Sequence, residues 1–159
     1  MVGAASDRSP NGTAAASAPA AASPVERDLS QWKVFVREQE HLCAEHRFPA
    51  AMMSIGVDDA DALEATIGPL SAVLRSTDRA GVLCPTEIAV LLVPLDSIHH
   101  AQRLVHVIDG ALRAAGLDPH IGWAMRLDNH GLFHAAARAD AAMLSARGHG
   151  RPSVDLSDR

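Results

Sequence analysis

Aromatic residues are scarce in this 159-residue chain, where three Phe, two Trp and no Tyr make up 3% of the sequence. Proteins that bind single-stranded nucleic acid stack the bases on aromatic side chains, so this composition argues against that class. Basic residues are also in the minority, with 14 Lys and Arg against 19 Asp and Glu and a formal net charge of −5. We therefore expect no nucleic-acid partner, although a local basic pocket is compatible with this balance.

Cysteines and long apolar runs are lacking too. The two cysteines, Cys43 and Cys84, are too few for a disulfide framework and lack metal-ligand spacing, so we expect reduced thiols. The longest apolar run, 88–94, is far shorter than the ~20 residues of a membrane-spanning helix. The N-terminus also lacks the basic flank and apolar stretch of a signal peptide. These features predict a cytoplasmic protein without a membrane span.

The composition divides the chain into a tail and one domain. Residues 1–24 consist mainly of Ala, Ser, Pro and Gly, which predicts a disordered tail before a domain over 25–157. Ser23, Pro24 and Glu26 form a capping-box pattern, which predicts a helix from there to about His46. Its predicted buried face comprises Leu29, Trp32, Phe35, Val36, Gln39, Leu42, Cys43 and His46, and its outer face Arg37, Glu38, Glu40 and Glu45.

Beyond this helix, apolar patterns predict alternating strands and helices. The strands are expected at 50–57, 78–83, 87–93, 120–126 and 153–156. The helices are expected at 60–76, 97–115 and 132–147, with Gly68-Pro69 kinking or restarting the first. The turn at 84–86 joins two strands that lie between helical crossovers. This order predicts an α+β fold, with a mixed or antiparallel sheet of about five strands flanked by helices.

Three partial motifs, in this order, resemble the GGDEF domains of diguanylate cyclases. The segment LRSTDRAGVLCPTEIAVLL (74–92) resembles the stretch that contains the GGDEF hairpin, and IGWA (121–124) resembles a later IGxA strand. RADAAM (138–143) with ARGHGR (146–151) resembles the terminal ADxAMxxAKxxGR helix. The resemblance covers about residues 28–155 and implies a nucleotidyl-cyclase-like fold with a ferredoxin-like palm.

The residues that carry catalysis in this family are mostly replaced here. Cys84, Pro85, Thr86, Glu87 and Ile88 stand where the family has Gly-Gly-Asp/Glu-Glu-Phe. The glycines allow the backbone to approach a triphosphate, whereas a cysteine side chain and a proline ring obstruct that approach. A threonine cannot replace the acidic residue that helps to hold Mg²⁺. Only the carboxylate of Glu87 clearly remains.

Two further departures lie around the first strand of the domain. The resemblance puts Gly56 at the family's second metal-ligand position, and Asp58 and Asp59 are the alternative carboxylates that would have to reach over from further along the chain. The stretch from Gly56 to Arg75 is shorter than in the family, so the segment that reads guanine is expected to be missing and the fold truncated after this strand. Since phosphoryl transfer needs metal neutralisation and positioning of the triphosphate, we predict no enzymatic activity. A residual nucleotide reaction through Glu87 and Asp58 is the least favoured alternative.

Arg75 and Asp78 match the RxxD motif that forms the inhibitory cyclic di-GMP site of the family. The resemblance implies that the guanidinium bonds guanine or phosphate oxygens and that the carboxylate accepts from the guanine edge. A partner arginine normally comes from the next helix, where Val107 occupies the matching position and Arg103 lies one turn earlier. We therefore predict a cyclic di-GMP receptor through Arg75, Asp78 and Arg103. The simpler interpretation is that Arg75 and Asp78 only end a helix and begin a turn.

The remaining candidates have simple structural interpretations. His130 with His134, the adjacent His99 and His100, and Cys43 with His46 lack the further ligands of a metal site nearby in the sequence, so neither metal nor cofactor is expected. Arg147 and Arg151 match the family's phosphate-contacting pair, but a basic helix end facing solvent is favoured. A nucleotide-independent interaction scaffold, or a homodimer through the exposed part of the first helix, is the alternative function, and the partner protein is not identified by the sequence.

Overall fold

The computed structural model describes residues 23–147 and the backbone of a short strand at 153–154. Its strands are β1 (Val25–Glu26), β2 (Ala51–Gly56), β3 (Arg79–Cys84), β4 (Glu87–Leu92), β5 (His120–Met125) and β6 (Ser153–Val154). Its helices are α1 (Leu29–His46), α2 (Ala60–Val73), α3 (Ile98–Ala114) and α4 (Gly131–Ala146). The sequence predicts disorder for residues 1–24. Residues 1–22 lie outside the described part of the chain.

The strands form one mixed sheet in the order β1-β3-β4-β2-β5-β6. Strand β2 lies in the centre and pairs antiparallel with both β4 and β5, whereas β1 and β6 pair in parallel with their neighbours. The β3–β4 hairpin lies between the crossover helices α2 and α3, as the sequence predicts. A single helix, α2, connects β2 to β3, which agrees with the expected truncation after the first long strand.

Helices cover both faces of this sheet, so β2 is buried on both sides. Alternate side chains of a strand point to opposite faces. Met53 and Ile55 pack in a core with α2 and α3, whereas Met52 packs in a second core with α1 and α4. Because no face of β2 is exposed to water, its residues are apolar except for Ser54. Among the described residues, no helix is long and apolar enough to cross a membrane.

The N-terminus differs from the sequence prediction, because α1 begins at Leu29 and not near Ser23. Val25 pairs with Ala80 in a short strand, and the carboxylate of Asp28 caps the helix by accepting from the backbone N–H of Ser30 at 2.7 Å. An Asp N-cap satisfies the otherwise unpaired donors of the first turn. The capping box at 23–26 was therefore misassigned, since pairing with β3 stabilises the extended backbone there.

The buried face of α1 is narrower than predicted. Leu29 and Leu42 are about two-fifths exposed, while Trp32, Val36 and Cys43 are buried. Glu40, which the pattern assigns to the outer face, is half-buried against α4. Helix α2 runs through Pro69 to Val73 as one helix and does not restart there.

Two glycines explain how closely the helices pack on the sheet. A Cβ at Gly81 would lie 2.2 Å from the indole of Trp32, and a Cβ at Gly122 would lie 2.0 Å from the backbone nitrogen of Met143. Both distances are sterically forbidden for a side chain. Because Gly122 has no side chain, the backbone of α4 packs directly on β5. This close packing is the physical reason for the glycine in the IGxA pattern.

Candidate functional site

The position that matches a metal-binding carboxylate lies at the end of β2 and carries no side chain. Gly56 pairs with Glu87 of β4 and His120 of β5, so three strands meet there. A Cβ at residue 56 would lie 2.8 Å from the thioether sulfur of Met143, a residue of α4. A carboxylate at this position would therefore require the Met143 thioether to move.

The hairpin beside this position holds its backbone in the sheet. The carbonyl of Thr86 accepts a hydrogen bond from the N–H of Val57 at 2.9 Å, so the turn is tied to the end of β2. The thiol of Cys84 lies 3.6 Å from the Thr86 hydroxyl, and Cys84 and Pro85 are exposed. This turn presents two side chains and lacks the N–H of Pro85, which makes it a poor cradle for phosphates.

Glu87 is half-buried in a small polar cluster. Burial and the neighbouring carboxylate of Asp140 raise the pKa of Glu87, and a hydrogen bond with Ser54 and the charge of Arg147 oppose that shift. Two carboxylates in contact favour sharing one proton. Among residues 23–147, no group of three or more His, Cys, Asp or Glu side chains is arranged to hold a metal ion.

The two aspartates that follow β2 serve other contacts. Asp59 caps α2 by accepting from the N–H of Ala62 at 2.8 Å. Asp58 is exposed, and its Oδ1 lies 3.9 Å from Nε2 of His120. The structure therefore gives neither aspartate a contact with Glu87. Of the two matched arginines, Arg147 is exposed beside Glu87, and Arg151 lies outside the described residues.

Arg75 and Asp78 are brought together, and they bind each other. Nε and Nη2 of Arg75 donate to the two carboxylate oxygens of Asp78 at 2.8 Å and 2.6 Å. The carboxylate also accepts from the backbone N–H of Arg75 at 3.1 Å and that of Val93 at 3.3 Å. The Asp78 side chain is 1% exposed, whereas that of Arg75 is 29% exposed. In this conformation the hydrogen bonds from Arg75 and Val93 leave the carboxylate of Asp78 no open position for a guanine edge.

On helix α3, His100 lies against Arg75, and Arg103 lies one turn further along. Nη1 of Arg75 donates to the carbonyl of Pro94 at 3.2 Å and lies 3.5 Å from Nε2 of His100. Arg103 is exposed one turn further along α3, and no hydrogen bond or ion pair within 23–147 joins it to Arg75 or Asp78. Val107 is also exposed. The three-residue spacing between His100 and Arg103, which places them on one helix face, is the sequence signal that could have identified His100.

Two of the histidine and cysteine pairs noted in the sequence differ in whether their side chains lie close together. The rings of His130 and His134 lie side by side, with their centroids 4.4 Å apart. His46 instead packs against Phe48, and Cys43 is fully buried. Burial also raises the pKa of the Cys43 thiol, which makes it an inert group.

The comparisons with known proteins show the fold. No protein-family model matches the sequence, and no curated protein matches it. Among solved structures, the GGDEF domain of TpbB (YfiN) from Pseudomonas aeruginosa is 21% identical, with a TM-score of 0.68, 81% of this chain covered and 90% of that chain. The diguanylate cyclase SiaD from the same organism, in complex with its activator SiaC, is 18% identical, with a TM-score of 0.69 and coverages of 81% and 61%. The GGDEF domain of DgcB from Caulobacter crescentus, in complex with c-di-GMP, is 17% identical, with a TM-score of 0.66 and coverages of 79% and 88%. This chain therefore has the fold of a GGDEF domain.

Proposed function

We propose that this chain is a catalytically inactive, cytoplasmic regulatory domain of a bacterium, built on the GGDEF fold. The observation that carries the proposal is the end of β2, where the Met143 thioether fills the space beside Gly56. The hairpin supplies Thr86 in place of a second acidic residue, and Glu87 alone is left among the matched carboxylates. Because positions 56 and 86 carry no carboxylate, neither matched position supplies Mg²⁺ with a ligand to neutralise the charge that develops during phosphoryl transfer.

An assay with GTP and Mg²⁺ or Mn²⁺ tests this proposal. We expect no cyclic di-GMP, while an active diguanylate cyclase domain assayed in parallel produces it. The double variant Gly56→Asp with Met143→Ala tests the steric reasoning, because the shorter side chain leaves room for the new carboxylate. Formation of cyclic di-GMP by the unaltered chain would refute the proposed inactivity.

The regulatory ligand that we propose is cyclic di-GMP, bound on the surface between α3 and the turn after α2. Asp78 holds the guanidinium of Arg75 in one orientation, and Arg75 keeps 29% of its side chain exposed. A pre-oriented arginine loses little conformational entropy when it binds an anion. Arg103 is exposed on α3 near this surface and provides a second positive charge. Asp78 then acts as a positioning residue. The GGDEF domain of DgcB, which shares this fold, is in complex with c-di-GMP.

Calorimetric titration with cyclic di-GMP tests the receptor function. We expect micromolar binding that the exposed variant Arg103→Ala weakens by about tenfold or more. Arg37→Ala, on the exposed side of α1, is the matched control and should bind as the unaltered chain does. Arg75→Ala should abolish binding, but it also leaves Asp78 buried and unpaired, so its folding is checked by circular dichroism. Absence of heat at about millimolar ligand would exclude the receptor.

A protein-interaction or homodimerisation scaffold is the second candidate, favoured by the exposed apolar side chains of α1. Of the seven large apolar side chains exposed within 23–147, four lie on α1 or just after it: Leu29, Val34, Leu42 and Phe48. An amphipathic helix that leaves apolar side chains in water gains free energy when a partner covers them. Sedimentation velocity tests the homodimer: Val34→Asp should shift a dimer to monomer, whereas Leu144→Asp on α4 should not. A chain that is monomeric at about 100 μM would rule the homodimer out.

A further inference from the structure

A small cavity of about 240 Å³ lies between α1, the turn after α2 and the end of β4. Five of its lining side chains are apolar: Phe35, Leu42, Phe48, Val93 and Pro94. Its one charged lining residue within 23–147 is Arg79, and no carboxylate lines it there. The cavity therefore combines five apolar side chains and the neutral polar side chains of Gln39, Ser76 and Thr77 with a single positive charge. None of the residues with matched family roles, Arg75 and Asp78 included, lines it.

The guanidinium of Arg79 is held in place by one of its nitrogens only. Nη1 donates to the backbone carbonyls of Ser76 and Asp78, both at 2.8 Å. Within the described residues, Nε and Nη2 of Arg79 make no hydrogen bond or ion pair. Two anchoring carbonyls fix the plane of the group, so the opposite edge is presented in a defined orientation.

Two other arginines of the same chain show which group the Nε–Nη2 edge of a guanidinium binds. Arg75 uses Nε and Nη2 to hold both oxygens of Asp78, and Arg126 uses the same two nitrogens to hold both oxygens of Glu40. Parallel N–H donors at this spacing match a carboxylate bidentately. Arg79 thus carries the same carboxylate-binding edge, and no carboxylate of the described residues bonds to it, although Glu26 and Glu38 line a neighbouring cavity together with Arg79.

We propose that this cavity binds a small amphipathic carboxylate, with the acid group on the Nε–Nη2 edge of Arg79 and the apolar body against Phe35, Leu42 and Phe48. A volume of about 240 Å³ equals that of roughly eight water molecules, which suits an acid with about ten non-hydrogen atoms. The apolar walls favour an aliphatic or aromatic body, and the single charge favours a monoanion. Phe48 and Leu42, both partly exposed, lie at the solvent side and give such a ligand a route of entry.

Titration of the full chain with 3-phenylpropionate, followed by NMR chemical-shift changes, tests the site. The neutral analogue 3-phenylpropan-1-ol has the same body without the charge. We expect the acid to bind at least about tenfold more tightly than the alcohol, with the shift changes centred on the cavity. Arg79→Lys keeps the charge but loses the bidentate edge, so it should weaken the acid severalfold and leave the alcohol unchanged.

Two further variants separate the site from its neighbours and guard against misfolding. Phe48→Ala changes an exposed wall residue and should weaken both probes. Arg103→Ala changes the surface proposed for cyclic di-GMP and should alter neither. Equal affinity for acid and alcohol, unchanged binding of the acid by Arg79→Lys, or no shift changes at about 10 mM acid would each overturn the proposal.

Discussion

One half-buried carboxylate adds polar contacts between α1 and two other parts of the domain. Glu40 accepts from Nε and Nη2 of Arg126 at 3.0 Å and 2.7 Å, and from the backbone N–H of Leu132 at 2.6 Å. The last of these hydrogen bonds caps α4, because His130 at the N-cap position gives no side-chain cap. Gly131 adopts φ +77°, and a Cβ there would lie 3.0 Å from this carboxylate. Glu40 therefore joins α1 to Arg126, just after β5, and to α4.

We predict that Glu40→Gln destabilises the domain by about 2 kcal/mol at neutral pH. Removing one partner of a buried ion pair costs about 3–5 kcal/mol, because the other charge stays buried without its counter-charge. The Arg126 side chain is 4% exposed, which favours a cost at the high end of this range. Two features lower the cost: the Glu40 side chain is 27% exposed, and Arg126 keeps an ion pair with Asp128 at 3.0 Å. The glutamine also keeps one carbonyl acceptor. For a domain of this size, about 2 kcal/mol lowers Tm by roughly 6–8 °C.

Thermal unfolding between pH 7 and pH 3 measures this contribution. The hydrogen bonds from Arg126 hold the pKa of Glu40 below its ordinary value of 4.5. A lowered pKa contributes stability that is fully present above the ordinary value and is lost as the pH falls through the folded-state pKa. The difference in Tm between the unaltered chain and Glu40→Gln should therefore shrink in acid.

The matched control is Glu45→Gln, an exposed carboxylate on the same helix. Its effect should lie within about 0.5 kcal/mol at every pH. If Glu40→Gln unfolds at the same temperature as Glu45→Gln, or if its deficit is independent of pH, the carboxylate does not join these parts of the domain as described.

Four other substitutions have expected outcomes in the same unfolding assay. Glu87→Gln should be neutral or stabilising at pH 7 and lose any gain in acid, since its raised pKa penalises the charged form as pH rises; a pH-independent loss would contradict this. Gly122→Ala should prevent folding, because its Cβ meets the backbone of α4, whereas Gly110→Ala, in open space on α3, should stabilise by about 0.5–1 kcal/mol; equal effects would refute the packing. Asp78→Asn should destabilise by about 2–4 kcal/mol, because it breaks a nearly buried pair with Arg75; an unchanged Tm would contradict that pairing.

Much of the fold could be predicted because its signals are local. These signals are the apolar run of β4, the apolar stripe of α3 with Ser97 as its cap, and the turn before β4. Each of them depends on neighbouring residues in the sequence. The extended segment at Val25 could not be predicted in this way, because its partner Ala80 is distant in the sequence. A two-residue strand has too little pattern of its own to outweigh a capping box.

The sequence by itself determined the order of strands and helices from α1 onward, a mixed or antiparallel sheet, and which matched positions lack a carboxylate, since residue types and hydrophobic period are read along the chain. Only the tertiary structure decided what each polar group binds. It pairs Asp78 with Arg75, joins Glu40 to Arg126 across 86 positions, brings Met143 over Gly56, and leaves one edge of Arg79 without a carboxylate in the described residues. The physical reason is that a hydrogen bond or a steric contact depends on distances of a few ångström between atoms, and such distances between remote residues are set by how helices pack on the sheet.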